Sequence, residues 1–263
     1  GMPLVDRLIK AFGAPVSDPK TGAVVAEPPK RAVGFGFDDS IYMLGAMSFA
    51  TLLRWRAARQ LANLCGAAGR AEEAKDFLKE ADLIAENIVP GFADPAKIGG
   101  WLRGATKTCR EPDVWATLFT LHLGVLPKDA EKRARETVAE AVRAGHNIIE
   151  YQGAVRHVPV THDFSADTAW EKTAGTKKDT YQNGAYWHTP TGWLIEALYP
   201  VDKALAKGVF DRYIAHLREY DFRKGKYGAP YECFGIDLKN SQNPVYMTSV
   251  TLPLAVLLKM KEK

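Results

Sequence analysis

The sequence is poor in cysteine, and its three (Cys65, Cys109 and Cys233) fall at irregular spacing. An odd, scattered set builds neither a disulfide framework nor a zinc site, and it suits a reducing compartment. Long apolar runs are missing too, so no segment reads as a membrane span. The opening stretch Met2–Lys10 is short and amphipathic and carries Asp6, which does not suit a cleavable signal peptide; a cytoplasmic location is expected. There is no Gly-x-Ser-x-Gly elbow, and no cysteine sits in a nucleophile context. Gly34-Phe35-Gly36-Phe37 lacks the strand–helix setting of a phosphate loop. His157, His162 and Asp163 come without helical histidine spacing or a carboxylate cluster, so no metal and no other cofactor is expected. The net charge of +4 arises from basic residues scattered among acids, which speaks against nucleic acid as a partner.

What is present is ordinary globular material. The chain has 263 residues, 46% hydrophobic and 25% charged, enough for one large core. A single domain over 1–263 is expected, with 1–37 as an N-terminal helix and an extended arm rich in Pro, Gly and Val. Helical periodicity then predicts about seven helices. The first opens at Asp38-Asp39-Ser40, good capping types, and runs to about residue 66 with Ile41, Leu44, Ser48 and Leu52 on its apolar stripe. The second covers Arg70 to Val89 and is stopped by Pro90-Gly91. The third follows Pro112 from Asp113 to Leu123, and the fourth is the charged, Ala-rich segment Lys128–Ala144. Short strands are expected within 146–160. A further helix begins near Gly184–Pro190 and ends by Tyr199-Pro200, another covers about Asp202–Tyr220, and a last one opens at Pro244.

Apolar helices alternate with charged ones. The loops before the apolar helices are long and carry Trp, Tyr, Asp and Glu; those after them are short. This order describes helical hairpins whose inner helices present their N-termini to one face. The richest of these openings is Tyr181-Gln182-Asn183-Gly184-Ala185-Tyr186-Trp187-His188-Thr189-Pro190-Thr191-Gly192-Trp193. Aromatic faces stack on pyranose C–H faces, and amides and phenols bond hydroxyls, so this mixture suits a sugar site; the plain alternative is aromatic core at a helix start.

Three segments together resemble the six-hairpin glycosidases, the (α/α)6 toroids that include glucoamylases, trehalases and debranching-type enzymes. Tyr181–Trp193 looks like the aromatic Asn-Gly opening of an inner helix. Gly36-Phe37-Asp38-Asp39-Ser40, with Ala67–Ala74 after the following helix, resembles the segment around the general acid. Pro230-Tyr231-Glu232, then Tyr246-Met247-Thr248-Ser249-Val250, resembles the general base and closing helix. The pair is Asp-Asp here where glucoamylases have Glu-Glu, and with Ile41-Tyr42-Met43 it also resembles the unsaturated glycuronyl hydrolases. The resemblance implies an all-α hairpin toroid, or an arc of one, because about seven of some twelve helices are in view. An open arc would leave apolar flanks, so self-association or cover by the arm is expected.

Glycoside cleavage needs one protonated and one ionised carboxyl across the bond. Asp38 and Asp39 lie beside Phe35 and Phe37, where like charge and desolvation raise a pKa; their alternative role is helix capping. By the resemblance, Asp38 or Asp39 is the acid and Glu232 the base of an inverting hydrolase. Trp101, Arg103, Asp113 and Trp115, with Tyr181, Asn183, Trp187 and His188, are the expected substrate-binding residues. Asp113 has helix-dipole complementarity as its alternative, and Trp115 and Trp193 have core packing. The expected partner is an oligo- or polysaccharide, with no membrane partner. The competing expectations are a non-catalytic carbohydrate-binding or scaffold relative, and a helical-repeat interaction protein.

Overall fold

The computed structural model describes residues 1–27, 40–161, 175–225 and 228–262. Within them run helices α1 (Leu4–Phe12), α2 (Ser48–Ala67), α3 (Ala71–Phe92), α4 (Pro95–Ile98), α5 (Val114–Leu123), α6 (Lys128–Arg143), α7 (Thr191–Leu198), α8 (Lys203–Glu219) and α9 (Thr248–Lys261). The seven expected helices correspond to α2, α3, α5, α6, α7, α8 and α9. Short strands fill the loops between them: β1 (Val25–Ala26), β2 (Gly45–Ala46), β3 (Leu102–Arg103), β4 (Pro112–Asp113), β5 (Glu150–Tyr151), β6 (Ala154–Arg156), β7 (Tyr186–Trp187), β8 (Tyr231–Cys233) and β9 (Gln242–Pro244). All pair antiparallel, as β1–β2, β3–β4, β5–β6–β7 and β8–β9.

The helices form an arc of hairpins. Its inner row is α2, α5, α7 and α9, each packed on the next, and α3, α6 and α8 back it. Composition explains the division. In α5 every residue from Val114 to Leu121 is buried, and in α7 only Glu196 escapes burial, so both are apolar all round. The charged α6 buries only Ala134, Val138, Ala139 and Val142. At one flank α1 lies over the α2/α3 hairpin: Phe12 meets Phe77 edge-on at 5.2 Å, and Arg54 donates to the Phe12 carbonyl at 2.9 Å. At the other flank α9 leaves Leu252, Leu254 and Leu258 exposed. Among the described residues no helix is long and apolar enough to cross a membrane.

Three boundaries differ from expectation, each because a tertiary partner overrides local propensity. The helix expected from Asp38-Asp39-Ser40 begins at Ser48 instead. The amides of Leu44 and Ala46 are taken by Thr108 and Thr106 hydroxyls, and those of Met47 and Ser48 by the carbonyls of Val24 and Gly104. Gly45 permits the extended turn, at φ 86° and with the Thr106 hydroxyl 2.4 Å from where a Cβ would sit. Asp38 and Asp39 themselves lie outside the described residues. Helix α3 runs through Pro90 to Phe92, which is buried, and Arg103 donates to the otherwise orphaned Gly91 carbonyl at 2.7 and 3.1 Å. Pro244 does not open the last helix but ends β9 opposite Tyr231, and α9 starts at Thr248.

Candidate functional site

The long loops gather at the N-terminal ends of the inner helices. In the Tyr181–Trp193 stretch, the Ala185 amide donates to Tyr181 O at 3.1 Å, and Asn183 Nδ2 donates to Thr176 O at 2.7 Å. Gly184 is required in this turn: it has φ 106°, and a Cβ would meet the Arg156 guanidinium at 2.6 Å. Arg156 is buried and donates to Asp179 Oδ1 at 2.8 Å, to Val158 O at 2.9 Å and to Gly184 O. The turn delivers β7, where Trp187 stands edge-on to Trp115 at 5.6 Å and 5.5 Å from Tyr181. These three rings make a wall drawn from two inner-helix openings.

The wall is tied to both segments that carry the expected acids. Gln182 Oε1 accepts from the amide of Ser40, the residue after Asp39, at 2.8 Å. On the other side, Tyr186 and Phe234 exchange two backbone hydrogen bonds of 2.9 and 3.0 Å, which dock β8 beside β7. Strand β8 carries Glu232, 7% exposed, whose Oε2 accepts from Asn243 Nδ2 on β9. One stretch therefore bonds to the neighbour of Asp39 and to the strand of Glu232.

At the start of α5, Asp113 is buried, with Oδ1 accepting from the Ala116 amide at 2.8 Å and Oδ2 lying 3.0 Å from His157 Nε2. The carboxylate thus caps α5 and holds the imidazole beside Trp115. Trp193 is deeper, 4.8 Å from Phe119 and 6.1 Å from His122 within the inner row.

Comparisons with proteins of known structure find 74 matching chains. One is a sialidase, TM-score 0.60 and 9% identity, matched over 88% of this chain and 21% of that one. Another is a GH63 mannosylglycerate hydrolase from Thermus thermophilus in complex with glucose, TM-score 0.52 and 15% identity, matched over 81% of this chain and 45% of that one. The fold is that of the (α/α)6 glycosidase toroids. No family model and no curated protein sequence matches the chain. It spans 21% and 45% of the two neighbours' lengths.

Within this toroid arc the expected site residues separate into groups. Tyr181, Trp187 and Trp115 come together. Asn183 is buried in the turn behind them, with its amide on Thr176. Trp101 is buried in the main core, and Arg103 turns its guanidinium to the α3 terminus. His188, expected among the substrate-binding residues, has no exposed surface. It follows Trp187 but turns beneath the sheet to meet His216 on α8 at 4.9 Å, Tyr213 at 4.9 Å and Phe234 at 5.2 Å. Burial, with His216 close by, pushes its pKa down to about 3, and burial pushes His216 down to about 4. Two further residues hold these elements together, and no pattern in the sequence marks them. Gln182 sits inside the aromatic stretch, yet nothing in its context marks Ser40 as its partner. Asn243 gives no local signal at all; only the β8–β9 register brings it to Glu232. Among the described residues no group of three or more His, Cys, Asp and Glu side chains could hold a metal ion.

Proposed function

We propose that the protein cleaves an O-glycosidic bond with paired carboxylates and inversion at the anomeric carbon. The observation that carries this reading is the double attachment of the Tyr181–Trp187 wall, to Ser40 beside the Asp38-Asp39 pair and to the strand of Glu232. Ionised Glu232, oriented by the Asn243 amide, takes a proton from water as the water oxygen bonds to the anomeric carbon. Asp38 or Asp39 gives its proton to the leaving oxygen as the old C–O bond breaks. Half-buried Tyr181 offers a ring for a pyranose to stack on, and Trp187 and Trp115, 6% and 7% exposed, pack behind it as part of the main core. The substrate is an oligo- or polysaccharide, or a smaller glycoside of the kind named for the GH63 neighbour.

The test is a panel of oligosaccharides, aryl glycosides and glycosylglycerates, assayed with the parent and with Asp38→Asn, Asp39→Asn and Glu232→Gln. Glu232→Gln and one of the Asp variants are expected to lose about 10²–10⁴-fold in kcat, the range of a positioned acid or base. Proton NMR of the first-formed anomer reports inversion. Full activity in all three variants on a cleaved substrate would sink the assignment. A second reading, a non-catalytic carbohydrate-binding relative, draws on the gathering of Tyr181, Trp187 and Trp115 at the helix openings. Oligosaccharide binding by calorimetry, without cleavage anywhere on the panel, would establish it instead.

A further inference from the structure

The pair His188–His216 occupies an aromatic box under β8. His216 stacks on Phe234 with centroids 4.5 Å apart and planes 13° from parallel; Tyr220 lies 5.0 Å and Tyr231 6.1 Å from it. The two rings are 0% and 1% exposed. Their four nitrogens share one hydrogen-bond contact, His188 Nε2 to Gln152 O at 3.1 Å. Among the described residues, His188 Nδ1 and both nitrogens of His216 have no partner. Two apolar side chains would fill this volume without stranding polar atoms, so packing alone does not account for imidazoles here.

The titratable groups around the box are neutral ones for the most part. Helix α8 contributes Tyr213, whose hydroxyl donates to Ser249 O on α9, and Tyr220, which bonds Glu219. The sheet contributes Tyr151 and Tyr186, both within the same aromatic cluster. Strand β8 contributes Tyr231, Glu232 and Cys233. Among the described residues no carboxylate bonds either imidazole, so an added proton would find no counter-charge in contact.

The residues that touch the pair are also those that hold β8. Glu232 lies between Tyr231 and Phe234, and both rings contact His216. Phe234 is also the residue whose backbone locks β8 to Tyr186 of β7. We propose that His188 and His216 are positioning residues for Glu232: the neutral pair seats Phe234 and keeps β8 docked on β7, and uptake of a proton by the pair releases that strand. The catalytic consequence rests on the role given to Glu232 above, whereas the release of the strand does not. An imidazole that stays neutral in the box and charges on opening makes opening easier as pH falls below the ordinary histidine value.

The experiment is residue-resolved amide hydrogen exchange on the full chain between pH 6.5 and pH 5, corrected for intrinsic exchange. Protection of the Tyr186 and Phe234 amides is expected to fall about a hundredfold in the parent, about tenfold in His216→Phe, and little in His188→Leu/His216→Phe. An equal fall in parent and His216→Phe, or none in the parent, overturns the proposal. Should the double variant fail to fold, imidazole NMR of the parent decides. Both rings should stay neutral in the native state at pH 5, and either ring titrating near the ordinary value overturns it. Once a cleaved glycoside is known, His216→Phe should extend the acid limb of kcat with KM unchanged. A normal exchange result alongside an active Glu232→Gln would fault the functional reading and leave the strand device standing.

Discussion

Two buried imidazoles leave the same sheet at opposite ends and meet opposite company. His157 follows β6 and lies 3.0 Å from the buried carboxylate of Asp113. His188 follows β7, antiparallel to β6, and meets a second imidazole in a box of rings. Both are almost fully buried. The first site gives its ring a buried carboxylate as hydrogen-bond partner. The second has no carboxylate in contact, and burial favours its neutral form. Burial alone thus does not tell what a histidine does; the identity of its nearest polar neighbour does.

The largest expected effect breaks the comparison on the side of the pair. The folded-state pKa values of His188 and His216, about 3 and about 4, lie below the ordinary 6.5 of the unfolded chain. The unfolded chain therefore binds protons that the folded chain refuses. Stability from these rings is fully present above pH 6.5 and is lost as pH falls toward the folded values. Between pH 6.5 and pH 5 each ring accounts for about 1.6 kcal/mol. Urea titrations at the two pH values should show His188→Leu/His216→Phe losing about 3.3 kcal/mol less than the parent over that interval. Equal losses would mean that water reaches the box.

The next effect breaks the other side. Asp113→Ala removes the cap on the Ala116 amide and the acceptor facing His157 together. A lost cap costs about 1 kcal/mol, and a stranded buried polar group about 1–3 kcal/mol, so a fall of about 3 kcal/mol in urea-unfolding stability is expected. Asp113→Asn keeps an acceptor for the amide and should cost about half of that. If Asp113→Ala proved as stable as the parent, His157 would be held by something other than this carboxylate.

The same contrast marks what the sequence could and could not say. Periodicity found α3, α5, α6 and α8 within a few residues, because their apolar stripes and their caps, Asp113 and Asp202, are local signals. It placed the start of α2 eight residues early, since hydroxyls of Thr106 and Thr108, some sixty residues away in sequence, claim the amides that a helix would have used. The aromatic wall was legible because Tyr181 and Trp187 share one opening with Asn and Gly. The Pro-Tyr-Glu-Cys-Phe setting and the family resemblance single out Glu232 as a candidate, while its partner Asn243 depends on strand register. His188 is grouped with the substrate-binding candidates because it adjoins Trp187. Residues adjacent in a strand point to opposite faces, and the histidine turned under the sheet to His216, a residue that no sequence pattern connects with it.

A third histidine sharpens the comparison at its weak end. His122 Nδ1 lies 2.6 Å from Glu196 Oε2, between α5 and α7, with the side chains 15% and 18% exposed. It has the carboxylate that the box lacks but not the burial of the Asp113 site. Water reaches both partners, so it competes for the hydrogen bond and screens the charge. Glu196→Gln keeps the shape and a carbonyl acceptor, and it should cost only about 0.5–1 kcal/mol at pH 7. Raising the salt to about 1 M should halve that difference, because partly exposed pairs are screened, whereas it should leave the Asp113→Ala loss nearly unchanged. A Glu196→Gln loss as large as that of Asp113→Ala would show that the carboxylate, and not burial, sets the strength of these contacts. Dryness would then not be what separates the box under β8 from the other two sites.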